Sequence, residues 1–168
     1  MNSRGTLDAT IRHATIATGL RYEALVAAFE RQLRRLDPAR TQSLVERKAP
    51  WSEVERAVDE AGGALGLMII THVDLGRVVS LSGRATACSL YLVGNPVIAQ
   101  RIVSIDLRGS FYVPFRVALH DDGGPQGAVI SYDRPSSFLA ALGHPELAEI
   151  GASLDAKIDT VAAALRAA

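Results

Sequence analysis

His72-Val73-Asp74 is the first stretch whose residue types could do chemistry. On a strand, residues two apart point to the same face, so His72 and Asp74 would stand side by side. An imidazole and a carboxylate so placed can work as an acid–base pair or supply two metal ligands. A complete site needs a third group, and the sequence does not position one. The bland reading is a strand end reaching solvent. A second stretch, Gly94-Asn95-Pro96, follows the apolar run Ser89 to Val93. Strand, glycine, helix can turn amide protons toward an anion. Asn95 suits a helix N-cap and Pro96 the first helical position. No further glycine or lysine follows, so neither a P-loop nor a dinucleotide fingerprint is present. A chain corner is the simpler reading, with the amides behind Asn95 a weak anion site. The third stretch is Gly109 to Phe115, G-S-F-Y-V-P-F, flanked by Arg108 and Arg116. It concentrates Phe111, Tyr112 and Phe115 in a chain with only 4 Phe, 4 Tyr and 1 Trp. Such a run is either core packing or the wall of a pocket or partner surface. The candidate catalytic residues are therefore His72 and Asp74. The candidate ligand-binding residues are Asn95, Phe111, Tyr112 and Arg116.

Other reactive side chains read more simply. His120-Asp121-Asp122-Gly123-Gly124 is turn chemistry and lacks the distal Glu of a calcium loop. His13 reads as a strand residue and His144 as part of a helix start. The single cysteine, Cys88, excludes an internal disulfide and fits a buried, inert thiol. Ser80, Ser82 and Ser89 lack a nucleophile-elbow pattern. The sequence gives no reason to expect a metal or a cofactor.

The elements that must carry these residues follow from composition and periodicity. The chain has 168 residues, 48% apolar and 21% charged, enough for a real core in one domain over residues 1–168. Lys plus Arg and Asp plus Glu balance at 18 each, which argues against nucleic acid or an acidic membrane as partner. The longest apolar run, Ala64 to Ile70, is too short to span a bilayer. With no apolar leader at its N-terminus, the expected location is cytoplasmic.

Residues 1–9 read as a loose lead-in. Thr10 to Thr18 reads as a strand and Arg21 to Leu36 as a helix with an apolar stripe, stopped by Asp37-Pro38. Ala39 to Pro50 is a polar connector with room for a helical turn. Ser52 and Glu55 fit a capping box for a helix ending at Gly62-Gly63, with Trp51 as its staple. Residues 37–63 are thus an extra, partly helical segment. Leu65 to Asp74 and Ala85 to Val93 read as strands with a loop from Arg77 to Gly83 between them. Asn95-Pro96 opens a helix to about Ser104. Phe115 to His120 and Gly127 to Asp133 alternate around Gly-rich turn chemistry and make a hairpin. A short helix, Ser136 to Leu142, precedes a long one whose stripe runs from Leu147 to Leu165. The order β-α-α-β-β-α-β-β-α-α, with consecutive strands, predicts an α+β fold. Its core is an antiparallel sheet of about five strands with helices packed on one face.

From about Leu65 onward the landmarks His72-Val73-Asp74, Gly94-Asn95-Pro96, Val113-Pro114 and Ser131-Tyr132-Asp133 with Pro135 occur in an order that resembles the domain of unknown function 302 family. The resemblance implies a curved antiparallel sheet backed by helices, similar to the TATA-binding-protein-like architecture, and a homodimer. It implies no activity. The chain departs from the family pattern in the segment Asp37 to Gly63 and in Arg134, which stands between acid and proline. The reading that combines these points is a non-enzymatic module binding a small ligand or a protein. The alternative is a small enzyme acting on an anionic molecule through His72 and Asp74.

Overall fold

In the computed structural model, which describes residues 6–167, the chain folds around a five-stranded antiparallel sheet in the order β1-β5-β4-β3-β2. The strands are β1 (His13–Ala17), β2 (Met68–Val73), β3 (Ala87–Gly94), β4 (Phe115–Asp121) and β5 (Val129–Asp133). The helices are α1 (Tyr22–Gln32), α2 (Pro38–Glu46), α3 (Trp51–Gly62), α4 (Leu75–Val79), α5 (Pro96–Ile105), α6 (Pro135–Ala140) and α7 (Pro145–Arg166). Of the loose lead-in, residues 1–5 lie outside the described residues, and 6–12 carry no regular structure.

Strand alternation sorts the sheet into two faces. Tyr91, Val117 and Tyr132 are cross-strand neighbours on one face, with Ala14 and His72 at its two ends. The adjacent row runs Ser89, Leu119, Ile130 and Ile16. Against this face pack Leu25, Phe29 and Leu33 of α1 and its C-cap, and Leu147, Leu154, Ile158 and Val161 of α7, all buried. The α7 stripe follows from its three/four spacing, as the sequence predicts. The opposite face carries the row Leu92, Arg116, Asp133 and His13, and among the described residues no apolar helix stripe covers that row.

Three local expectations are corrected. The first helix stops at Gln32, ahead of Asp37-Pro38, because the chain turns extended to bond the sheet. Ile69 N donates to Arg34 O and Leu36 N to Ile69 O, each at 2.9 Å, with a parallel bridge between Arg35 and Ile69. The capping box at Ser52 does not form. The helix begins at Trp51 with Pro50 at the N-cap, and the Pro50 carbonyl accepts from Glu53 and Val54. The neighbouring Glu53 pairs with Arg47, and Trp51, expected ahead of the helix, is its first residue and is exposed. The segment after β2 is helical, not a loop: the Asp74 carboxylate caps α4 by accepting from Arg77 N at 3.0 Å. The observed order therefore has one more helix in the 37–63 segment and one more between β2 and β3. Asp37 caps α2 in the same way, accepting from Ala39 N, with Pro38 at the first helical position.

Arg134 ties the sheet to α7. Its guanidinium lies 3.0 Å from Asp159 and 3.7 Å from Asp155. Tyr132 donates to Asp159 at 2.6 Å, and Asp155 accepts from the Ser136 amide and hydroxyl, so β5 and α6 share one polar clamp on α7.

Candidate functional site

A cleft of about 550 Å³ opens at one end of the sheet face that α1 and α7 leave uncovered. Leu92 and Arg116 form part of its floor, and Phe111, Tyr112 and Phe138 form its wall. Each part has a local cause. Leu92, Arg116, Asp133 and His13 share a face because β3, β4, β5 and β1 pair in register across it. His13 Nδ1 lies 2.7 Å from Asp133 Oδ1, while Arg116 reaches the other carboxylate oxygen only at 4.0 Å. Arg116 is 70% exposed, so its guanidinium keeps donors turned to solvent.

The aromatic wall hangs from a short 3₁₀ turn, Leu107–Phe111, fastened at its start by Asp106. The Asp106 carboxylate accepts from the Arg108 amide at 2.9 Å and pairs with the Arg108 guanidinium at 2.6 Å, with His144 at 3.2 Å. The hydrogen bonds from Arg108 hold this carboxyl well below the usual range, with His144 adding to the effect. Gly109 presses so closely on Ile102 of α5 that a side chain there would collide with it. The turn so fixed presents Phe111, 83% exposed, edge-on to Tyr112 at 5.2 Å. Tyr112 in turn stacks on Phe138 of α6 at 5.0 Å. Phe115, grouped with them in the sequence, is only 3% exposed and belongs chiefly to the core.

Of the candidate ligand-binding residues, Phe111, Tyr112 and Arg116 line this one cleft. Asn95 does not. It caps α5 as its residue type predicts: Oδ1 accepts from Val97 N at 2.8 Å and Ile98 N at 3.1 Å, and Nδ2 donates to Gly66 O at 2.8 Å. The two amides that could have held an anion are thus taken by Asn95 itself.

His72 and Asp74 are also set apart. His72 pairs across β2–β3 with Tyr91 and stacks on its ring at 4.6 Å. Its Nε2 lies 3.2 Å from Ser89 Oγ, which accepts from the Tyr22 hydroxyl at 2.8 Å. Asn95 lies four residues beyond Tyr91, roughly 13 Å at about 3.3 Å per residue. Among the described residues, no three His, Cys, Asp or Glu side chains gather as a metal site. Burial raises the Cys88 thiol pKa, and Asp74 adds to it, which keeps the thiol protonated.

Sequence reasoning missed Asp133, Leu92 and Phe138 as cleft residues, and His13 as the partner of Asp133. For Leu92, Asp133 and His13 the only signal is strand pairing between positions distant in the chain, and for Phe138 it is the packing of α6 against Tyr112. No helix among the described residues is long and apolar enough to cross a membrane.

Comparison with known proteins agrees with the architecture. No curated protein matches the chain. Among solved structures, the crystal structure of an uncharacterized conserved protein DUF302 from Bacillus stearothermophilus superposes with a TM-score of 0.61 at 14% identity. The match covers 89% of this chain and 94% of that one, and at this identity it shows the shared fold. The family described as domain of unknown function DUF302 matches residues 44–165, and the chain belongs to that family.

Proposed function

We propose that the protein is a non-enzymatic binding module whose open-face cleft takes a small molecule with an aromatic part and a carboxylate. The observation that carries this reading is the convergence of Phe111, Tyr112 and Arg116 on one concavity. The exposed Phe111 ring and the Tyr112–Phe138 stack offer flat apolar surface. The Arg116 fork can grip a carboxylate with two parallel hydrogen bonds. Sites of this kind pair an apolar wall with a few oriented polar groups.

Titration calorimetry with benzoate, cinnamate and naphthoate tests it. At least one is expected to bind, and Arg116→Ala should weaken that binding about 10-fold or more, since a hydrogen bond to a charged group is worth about 1.5–3 kcal/mol. Phe111→Ala should also weaken it. No binding by any of the three at millimolar concentration, or binding indifferent to Arg116, would sink the reading.

A second surface supports the protein-binding side of the same proposal. Val73, Leu75, Val78, Val79 and Leu81 are all exposed along the end of edge strand β2, through α4 and into the 3₁₀ turn that follows it. A strip of this kind marks an interaction surface. Its proposed partner is a second copy of the chain. Light scattering at about 50 micromolar, far above the Kd of an ordinary dimer interface, should then give twice the 17.9 kDa chain mass. Val78→Asp with Leu81→Asp should return it to one. A monomer in the unaltered protein rules the homodimer out.

A further inference from the structure

Val113, Pro114 and Phe115 border the cleft on one side and a different cavity on the other. This second cavity, of about 210 Å³, lies on the helix side, beneath the corner where β3 turns into α5. Ile70, Ile98, Ala99 and Leu154 give it hydrocarbon walls. Ile70 reaches it from a break in the β2–β3 register between Ile69 and Thr71. Asn95 is the one polar side chain in the lining, and its oxygen and one amide proton are already used within the fold. A water molecule there would want two to four polar partners and would find almost none. An apolar cavity of roughly 150 Å³ already stays dry and accepts benzene. Leu36 and Pro96 stand between this cavity and a separate recess of about 100 Å³, lined by Arg35, Asp37, Arg40 and Thr41 as well as by Leu44, Val54 and Val58.

We propose that this corner cavity binds the unbranched alkyl chain of a small amphiphile, laid among Ile70, Ile98 and Leu154. With Asn95 engaged through its oxygen and one amide proton, recognition is chiefly by shape and burial. The site does not depend on what the cleft binds.

The test is a titration of n-alkanols from butanol to decanol, followed by the methyl resonances of the protein. Methyl groups of Ile70, Ile98, Ala99 and Leu154 are expected to shift, and those of Leu92 in the cleft to stay. Affinity should rise about fourfold per added methylene until the chain outgrows the cavity, because each buried CH₂ is worth about 0.8 kcal/mol. Ala99→Phe should abolish binding by filling the space. If that variant does not fold, Ala99→Leu should cut affinity about tenfold. Absence of methyl shifts with every alkanol, shifts confined to the cleft, or an affinity independent of chain length would each overturn the assignment. So would undiminished binding by a folded Ala99 variant.

Discussion

Gly151→Val should destabilise the protein by about 3 kcal/mol, although the substitution lies in the middle of a helix, where glycine is normally a weak choice. Gly151 is buried where α7 crosses the start of α6. A Cβ there would sit 2.6 Å from Ser136 Cα, 3.0 Å from Ser136 N and 3.2 Å from Pro135 O. Those atoms are backbone and cannot swing away as a side-chain tip could. The two helices would have to part, and the Ser136–Asp155 hydrogen bonds would part with them. Replacing glycine recovers at most about 1 kcal/mol of helix propensity, which the collision outweighs. Ala152→Val, one position along on the exposed side, is the control and should cost about 0.5 kcal/mol. Urea denaturation compares the two, and equal midpoints would show that the α6–α7 contact is not limiting. Because Phe138 of α6 walls the cleft, the same variant should also weaken binding of any cleft ligand.

Tyr91→Ala should cost more, about 3–5 kcal/mol, as expected for deleting a fully buried aromatic. Tyr91 is 0% exposed at the centre of the helix-covered face. Its ring meets Phe29 at 4.9 Å and His72 at 4.6 Å, and its hydroxyl donates to Glu30 at 3.0 Å. Tyr91→Phe separates packing from the hydrogen bond and should lose only about 1 kcal/mol, because Glu30 keeps Arg35. The two variants also differ from the parent in alkali. Burial and the hydrogen bond to Glu30 raise the Tyr91 hydroxyl above its ordinary value. A group with a raised folded pKa contributes stability below its unfolded pKa, near 10, and loses it as pH climbs toward the folded value. Tyr132, raised by burial and then by Asp159, acts in the same direction. Stability of the parent should therefore fall as pH rises above about 10, and Tyr91→Phe should make that fall shallower. An identical alkaline slope in parent and Tyr91→Phe would contradict the assignment.

What could be read in the sequence was whatever short-range chemistry decides. Asn95 and Pro96 start a helix by satisfying their own neighbours, and the structure shows that start. The alternation through Phe115 to His120 and the turn after it specify the hairpin locally. The long stripe of α7 needed only its own period. The misreadings fall where distant partners compete. Residues 33–36 have helical spacing yet go extended, because pairing with Ile69 offers more than another helical turn. Ser52 has capping chemistry, yet Pro50, one residue before the helix, already occupies the N-cap. In the cleft, Phe111, Tyr112 and Arg116 stood out because they are close together in the chain. His13 and Asp133 did not, being 120 positions apart and joined only by the β1–β5 pairing.

The alternation of a tyrosine row with a charged row has a consequence for how the sheet assembles. Val117 lies opposite Tyr132, with Arg116 and Asp133 one step along on the other face. If β4 and β5 slipped by one residue, one strand would turn its inward residues out and its outward ones in. A guanidinium or a carboxylate would then face Leu25 and Phe29 without a partner, at a cost no hydrophobic regain could offset. Arg116, proposed to grip a ligand, and Asp133 thus also disfavour every odd-numbered misalignment of the hairpin.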